Sequence, residues 1–582
     1  MKKVILSAAL AIAGTTTCLF AQTNILSTNT LAEQIMLGNY NPASFQASVV
    51  INKPADISQG ITNRVSPDSL YSYLDVLQTF GNRNTGSDTV SATRGIGAAR
   101  RWVYSKLEQF SSENENRLIP SYLQFDQSIC SIDQHRNVFA VIPGADITDK
   151  SVVILEAHLD SRCEGLCDTS CVAEGMEDNA SGTALVLELA RVMSKYTYNH
   201  TLVFILTTSE EQGLNGARAF AKYCKDKGIK VRAVLNNDVV GGIICGQTAS
   251  SPGCMGAGTI DSTNLRLFSG GTFNSPHKQL ARFVKLEYKE QLLPIAKVPM
   301  TINIMSPLDR NGRGGDHIPF YDEQYTAIRF CAANEHGDAD VSNPNYSDRQ
   351  HSTRDLFGVD TDNDNKIDSF FIDFNYLARM SVINGNAAAM AASGPKTPEF
   401  DVVVTPGDEA ISVFINTEKQ YQHYRVGIRT STNDWDTVAT ILNSDHIYIP
   451  LHGGLKTQFV SVASVDAEGV ESLFSEEKVA MLNITDLTKN KQLPVELLQN
   501  HPNPFDGETT ISVLANESIM DVNAYISVTD IAGKEIKRMK ITLNKGVNEV
   551  TYEHGYHVVG NYVYTLVING EKIQSRRMVF AN

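Results

Sequence analysis

The sequence has no excess of basic residues, no long apolar run after its extreme N-terminus, and only two tryptophans. Fifty lysines and arginines stand against 65 aspartates and glutamates, a formal net charge of −15. No broad basic surface is therefore on offer to a phosphate backbone, and nucleic acid is not an expected partner. A membrane span needs about 20 consecutive apolar residues; nothing after Gly14 comes close, so no transmembrane anchor is expected. The 42% hydrophobic and 20% charged content excludes a disordered chain as well. At 582 residues the chain exceeds what one hydrophobic core can organise, and three folded units are expected.

The N-terminus does carry a pattern. Met1-Lys2-Lys3, the apolar run Val4 to Gly14 and then Cys18-Leu19-Phe20-Ala21 have the charged, apolar and small-residue zones of a secretory signal, with cleavage expected after Ala21. Thr15, Thr16 and Thr17 interrupt the run, which argues against an anchor and against lipid attachment at Cys18. A secreted or cell-surface location is expected. Eight cysteines remain after cleavage: Cys130, Cys163, Cys167, Cys171, Cys224, Cys245, Cys254 and Cys331. An even number in an exported chain fits disulfides, without fixing their pairing. Cys163, Cys167 and Cys171 recur every fourth residue, but structural zinc sites use four ligands at tighter paired spacings, so a disulfide-tied loop is the expectation there.

Texture changes along the chain set the domain boundaries. Residues 22–66 are polar, broken by Pro42 and Pro54, and read as a propeptide or N-terminal arm. Residues 67–394 alternate apolar strand-like runs (Ser151–Glu156, Thr201–Leu206, Val231–Leu235, Thr326–Phe330) with helix-like stretches at 181–193 and 213–223. That alternation predicts an α/β fold with a mostly parallel central sheet flanked by helices. After Ala392-Ser393-Gly394-Pro395 come short alternating strands, including Ile411–Ile415, Tyr424–Ile428 and Gln458–Val462. Residues 395–485 thus read as a β-sandwich, which resembles a fibronectin type III domain in the placing of Trp435 and the run Phe459 to Ser475. A polar linker, 486–493, leads to a last β-rich module, 494–582. Its Gln499 to Phe505 segment, Asp530 to Lys534, Gly560-Asn561-Tyr562-Val563-Tyr564 and terminal strand Arg577–Phe580 resemble the C-terminal sorting domain of the type nine secretion system. The resemblance implies recognition by that secretion machinery, passage across an outer membrane and removal of the module.

Chemistry concentrates at the ends of the apolar runs. In Ala157-His158-Leu159-Asp160, alternate residues of an extended strand share a side, so His158 and Asp160 can face one cavity, Asp160 orienting the imidazole. Glu177-Asp178-Asn179-Ala180-Ser181-Gly182 puts a carboxylate at a helix start; alone it reads as a helix cap. Glu210 and Glu211 follow the next strand; adjacent carboxylates are tolerated when a cation lies between them or one stays protonated. Asp238 follows the third strand and His351 lies in a loop. Each is weak alone, but together they deliver acids and imidazoles to the carboxyl ends of neighbouring strands, where open α/β sheets hold their ligands.

Residues 67–392 resemble the co-catalytic zinc peptidase family of the secreted bacterial leucine aminopeptidases and the glutamate carboxypeptidases. The motifs carrying the resemblance are His158-Leu159-Asp160, Glu177 to Gly182, Glu210 to Gly213, Asp238 and His351. It implies two zinc ions bridged by Asp178, one completed by His158 and Asp238, the other by Glu211 and His351. It also implies Glu210 as general base, Asp160 as partner of His158, and peptides as substrates. Free N-terminal amines binding one metal would make the chain an exopeptidase of the aminopeptidase type. Gly314 to Phe320 is similar to a segment of the glutaminyl cyclases, one-zinc relatives on the same fold, and Asp316 and His317 within it are candidates to line the substrate site. Carboxypeptidase activity, or an adhesin in which the α/β unit is inert, are the remaining readings. Finally, Asp360, Asp362, Asp364 and Asp368 sit at positions one, three, five and nine of a calcium-loop pattern, but Asn365 and Phe371 replace its glycine and final glutamate. A partial calcium loop and a solvated acidic turn are both open.

Overall fold

The computed structural model describes residues 22–581 apart from 251, 273, 311, 405–409, 417–420, 431–433, 443–445, 451–456, 482–493, 531–533 and 556–558. The expected signal and the 486–493 linker lie outside the described residues. Nine strands form the central sheet: β1 (Thr23–Ser27), β2 (Ile119–Ile129), β3 (Ile132–Ile142), β4 (Ser151–His158), β5 (Thr201–Thr207), β6 (Lys230–Asn237), β7 (Asn264–Ser269), β8 (Thr301–Met305) and β9 (Ala327–Ala332). Their spatial order is β1-β2-β3-β5-β4-β6-β9-β7-β8. The centre, β5-β4-β6-β9, is parallel, as is β7-β8. The β1-β2-β3-β5 side and the β9-β7 pair are antiparallel, so the sheet is mixed rather than mostly parallel.

The central strands read as nearly continuous apolar runs, interrupted towards their carboxyl ends by buried polar residues such as Glu156, because both faces are covered. Along β4, Val153, Leu155 and Ala157 join one buried cluster while Val152 and Ile154 join another. The first cluster packs helices α3 (Pro67–Gln78), α4 (Gly95–Ser112), α5 (Ser181–Met193) and α8 (Phe374–Ser393) against the sheet. The second packs α1 (Thr30–Met36) and α6 (Asn215–Lys227) against the opposite face. Residues 22–66, expected as a propeptide or arm, contain the edge strand β1, α1 and α2 (Pro54–Arg64). These elements are built into the domain: Ala32, Ile35 and Met36 are buried in the second cluster, Ile57 and Ile61 in the first.

Two antiparallel modules follow. Between Glu399 and Met481, a three-stranded and a four-stranded sheet face each other over Phe400, Ile411, Val413, Tyr424, Val426 and Val462. This sandwich shares a core with the α/β domain. Trp435 and Phe474, with ring centroids 4.2 Å apart, pack into the first cluster. Beside them the fully buried Glu477 takes a two-pronged ion pair from Arg429 and lies 3.2 Å from Arg282 on α7 (Pro276–Glu287). Removing one partner of a buried pair strands the other charge at a cost of about 3–5 kcal/mol. Glu477→Gln is therefore expected to lower the thermal unfolding midpoint clearly, and an unchanged midpoint would show that this cluster does not secure the sandwich.

The last module repeats the three-plus-four arrangement. Segments singled out in the sequence meet inside it. The Tyr564 hydroxyl accepts the Asn500 N–H at 2.7 Å and donates to the Leu498 carbonyl at 2.7 Å, and Phe505 packs edge-on against Phe580.

Candidate metal centre

Three adjacent parallel strands end at one rim, and the register aligns what they carry. His158 is the last residue of β4 and pairs with Thr207 at the end of β5, from which the chain runs on to Glu210 and Glu211. Glu156 pairs with Asn236, so Asp238, just past β6, emerges on the other side of His158. Asp178 enters from above, in a kinked turn over Met176–Ala180 ahead of α5. The Asn179 side chain fixes that turn by donating to the Asn237 carbonyl at 2.8 Å and accepting from Gly182 N–H at 2.9 Å. A Cβ on Gly182 would fall 2.2 Å from the Asn237 carbonyl oxygen, so only glycine lets α5 approach the strand end so closely.

The five expected metal ligands come together. Asp178 Oδ1 lies 3.1 Å from His158 Nε2, and its other oxygen, Oδ2, lies 3.3 Å from His351 Nε2. Asp238 Oδ1 is 3.6 Å from His158 Nε2, and Glu211 Oε2 is 3.2 Å from His351 Nε2. Donor atoms of Asp178, Glu211 and His351 lie within 4.8 Å of one another, as do those of His158, Glu210 and Asp238. Asp178, Glu210, Glu211, Asp238 and His351 line a single cavity of about 300 Å³.

The donor set fits zinc. His158 Nε2 and Glu211 Oε1 are buried without a hydrogen-bond partner, although acidic groups surround the first. Burial alone would keep His158 neutral, but the carboxylates of Glu210, Asp160, Asp178 and Asp238 hold it well above its usual pKa. Burial likewise disfavours charge on His351, yet Glu211, Asp178 and Asp338 raise it to about 12. Four carboxylates converging on two imidazoles in a buried cleft favour bound cations, and nitrogen with carboxylate oxygen is the zinc donor set.

An outer layer holds these groups. Asp160 meets His158 through its backbone rather than through its carboxylate. Its backbone carbonyl is the atom facing His158 Nδ1, at 3.0 Å, while its carboxylate, 3.7 Å away, accepts the N–H groups of Glu210 (3.2 Å) and Glu211 (3.3 Å). Asp160 thus links the β4 end to the two-glutamate turn. Asp355 accepts the N–H groups of Glu177 and Asp178, each at 2.9 Å. Arg329 reaches Asp238 Oδ2 at 3.3 Å and is itself held by Asp309 and Glu335. His351 Nδ1 lies 2.5 Å from Asp338 Oδ1, so its second nitrogen has a carboxylate partner. Arg162 Nε donates to Glu211 Oε2 at 2.9 Å. Neither periodicity nor motif spacing marks Asp355, Arg329, Asp338 or Arg162; their roles depend on tertiary closure.

Asp316 and His317 were the candidates to line the substrate site. Both are fully buried: Asp316 accepts from the Thr207 hydroxyl, and His317 Nε2 lies 2.9 Å from the Leu308 carbonyl. Neither is among the side chains that line the metal cavity. Cys163 pairs with Cys171, Cys130 with Cys167 and Cys245 with Cys254, so the repeated cysteines form a tied loop; Cys224 and Cys331 are buried free thiols. Asp360, Asp362 and Asp368 bring one oxygen each within 4.8 Å of the others, whereas Asp364 instead caps Lys366 N–H at 2.8 Å.

A mixed α/β sheet whose parallel strands end in paired acid-and-imidazole clusters is the architecture of a metallohydrolase. Comparison with known proteins gives the family. Residues 137–369 match the model of Peptidase family M28. A protein of Pyricularia oryzae named "Probable zinc metalloprotease" is 31% identical over 374 residues, covering 61% of this chain and 71% of the relative. One of Leptosphaeria maculans with the same description is 29% identical over 418 residues, covering 68% and 92%. Among solved structures, the Legionella pneumophila LapA aminopeptidase aligns with a TM-score of 0.42 and 18% identity over 60% of this chain and 78% of its own. The chain belongs to peptidase family M28. Among the described residues, no helix is long and apolar enough to cross a membrane.

Proposed function

We propose that this chain is a secreted zinc exopeptidase of the aminopeptidase type that works with two metal ions. The observation that carries the reading is Asp178, whose two oxygens face two different imidazoles at 3.1 and 3.3 Å, as a carboxylate shared between two cations must. His158 and Asp238 would hold one ion, Glu211 and His351 the other. When bound, the pair supplies Lewis-acid activation of a water and polarisation of the scissile carbonyl. Glu210 lies at the same cleft, and burial pushes its carboxyl well above the usual range, the direction needed by a group that accepts and returns a proton near neutral pH. It takes the proton from the attacking water and gives it to the departing amine nitrogen.

Hydrolysis of free-amine, blocked-amine and C-terminal glutamate peptides, assayed beside cyclisation of a glutaminyl peptide, tests this. Turnover confined to free amines is expected; cleavage of blocked peptides, release of C-terminal glutamate, or cyclisation alone would replace the reading. The fibronectin-like sandwich and the sorting role of residues 494–582 belong to the same proposal. Deleting the last module is expected to trap the enzyme inside the cell, and normal extracellular release would remove the sorting role. The Asp360–Asp368 turn is proposed as a partial calcium loop supported by the three converging carboxylates. Calorimetry of the zinc-loaded enzyme should show calcium uptake that Asp360→Asn abolishes; absence of uptake leaves a solvated acidic turn.

A further inference from the structure

We infer that the loop from Arg162 to Cys171, closed by two disulfides, is a rigid arm that presses Arg162 against Glu211, making Arg162 a positioning residue for the Asp178–Glu211–His351 metal position. The inference rests on the two-metal reading above. Arg162 directly precedes Cys163, which is buried and bonded to Cys171, while Cys167 within the same loop is bonded to Cys130 at the β2–β3 turn. Hydrogen bonds reinforce both ties. Asn82 donates to the Cys171 carbonyl at 2.9 Å, Asn84 to the Leu166 carbonyl at 3.0 Å, and Gln212, the residue after Glu211, to that same Leu166 carbonyl at 3.1 Å. The arm is therefore anchored to the turn that carries the glutamates.

Arg162 sits beside the donor atoms rather than in their place. Its Nε occupies one lone pair of Glu211 Oε2, while Glu211 Oε1 is buried without a partner. Its Nη2 lies 2.6 Å from His351 Nδ1, the same nitrogen that Asp338 approaches at 2.5 Å. Both groups crowd that nitrogen, while His351 Nε2, the other ring nitrogen, faces Asp178 and Glu211. A planar guanidinium on a tethered backbone holds a carboxylate in one orientation at little entropic cost.

Groups that orient metal ligands typically contribute about 10–100-fold to metal affinity or activity. Arg162→Ala should therefore release one of two zinc ions at about 10–100-fold lower chelator concentration, read as zinc per chain by elemental analysis, with the other ion retained. kcat should fall by a similar factor with KM little changed, and Arg162→Lys should restore only part of both. The Cys163→Ser/Cys171→Ser variant should shift the same ion in the same direction, and adding Arg162→Ala to it should give less than the sum. Unchanged zinc retention in Arg162→Ala, simultaneous loss of both ions, or full additivity with the loop variant would overturn the inference. A wild-type enzyme that holds fewer than two ions would instead overturn the two-metal reading, and the inference with it.

Discussion

Glu210→Gln enzyme is expected to turn over peptides about 10²–10⁴-fold more slowly than wild type while keeping two zinc ions per chain. The substitution preserves size and the backbone N–H bond from Glu210 to Asp160, so the turn should not move. It removes the proton-accepting oxygen. The geometry makes this a demanding test, because a Glu210 oxygen lies within 4.8 Å of donor atoms of His158 and Asp238 and could itself bind metal. If Glu210 were a ligand, the glutamine variant would lose zinc along with activity. Zinc content and kcat measured on the same preparation separate the two roles.

Asp178→Ala should have the larger effect: loss of both ions and activity at the limit of detection. Each metal position would lose a carboxylate oxygen, and the two imidazoles would lose their common neighbour. The loss should also appear as stability, since a ligand that binds only the folded state at 100 times its Kd contributes about 2.7 kcal/mol per site. A lower thermal midpoint that added zinc does not restore is expected. A variant that still held one full equivalent of zinc would show that Asp178 serves a single ion.

Much of this centre was legible in the sequence because strand geometry makes it so. His158, Glu210, Glu211 and Asp238 each follow an apolar run, and the parallel register of β5, β4 and β6 brings such positions to one rim. His351 follows no strand of the sheet; its residue type and loop say little by themselves, and the resemblance gave it its place in the ligand set. Asp355, Arg329 and Arg162 were silent because each acts on a ligand far away in sequence. The antiparallel flank was missed for a different reason. The tight β2–β3 hairpin turns through Cys130 and Ser131, with φ of 49° and 65°, where asparagine or glycine usually marks such a turn. Cys130 is held there by its disulfide to Cys167. Residues 22–66 looked structureless because α1 and α2 are short and bury only a few side chains each.

Anomalous diffraction at the zinc edge from crystals of the native protein addresses the metal pair directly. Two peaks are expected, on opposite sides of Asp178, one beside His158 and Asp238 and the other beside Glu211 and His351. One peak alone, or density that leaves Asp178 uncoordinated, would contradict it.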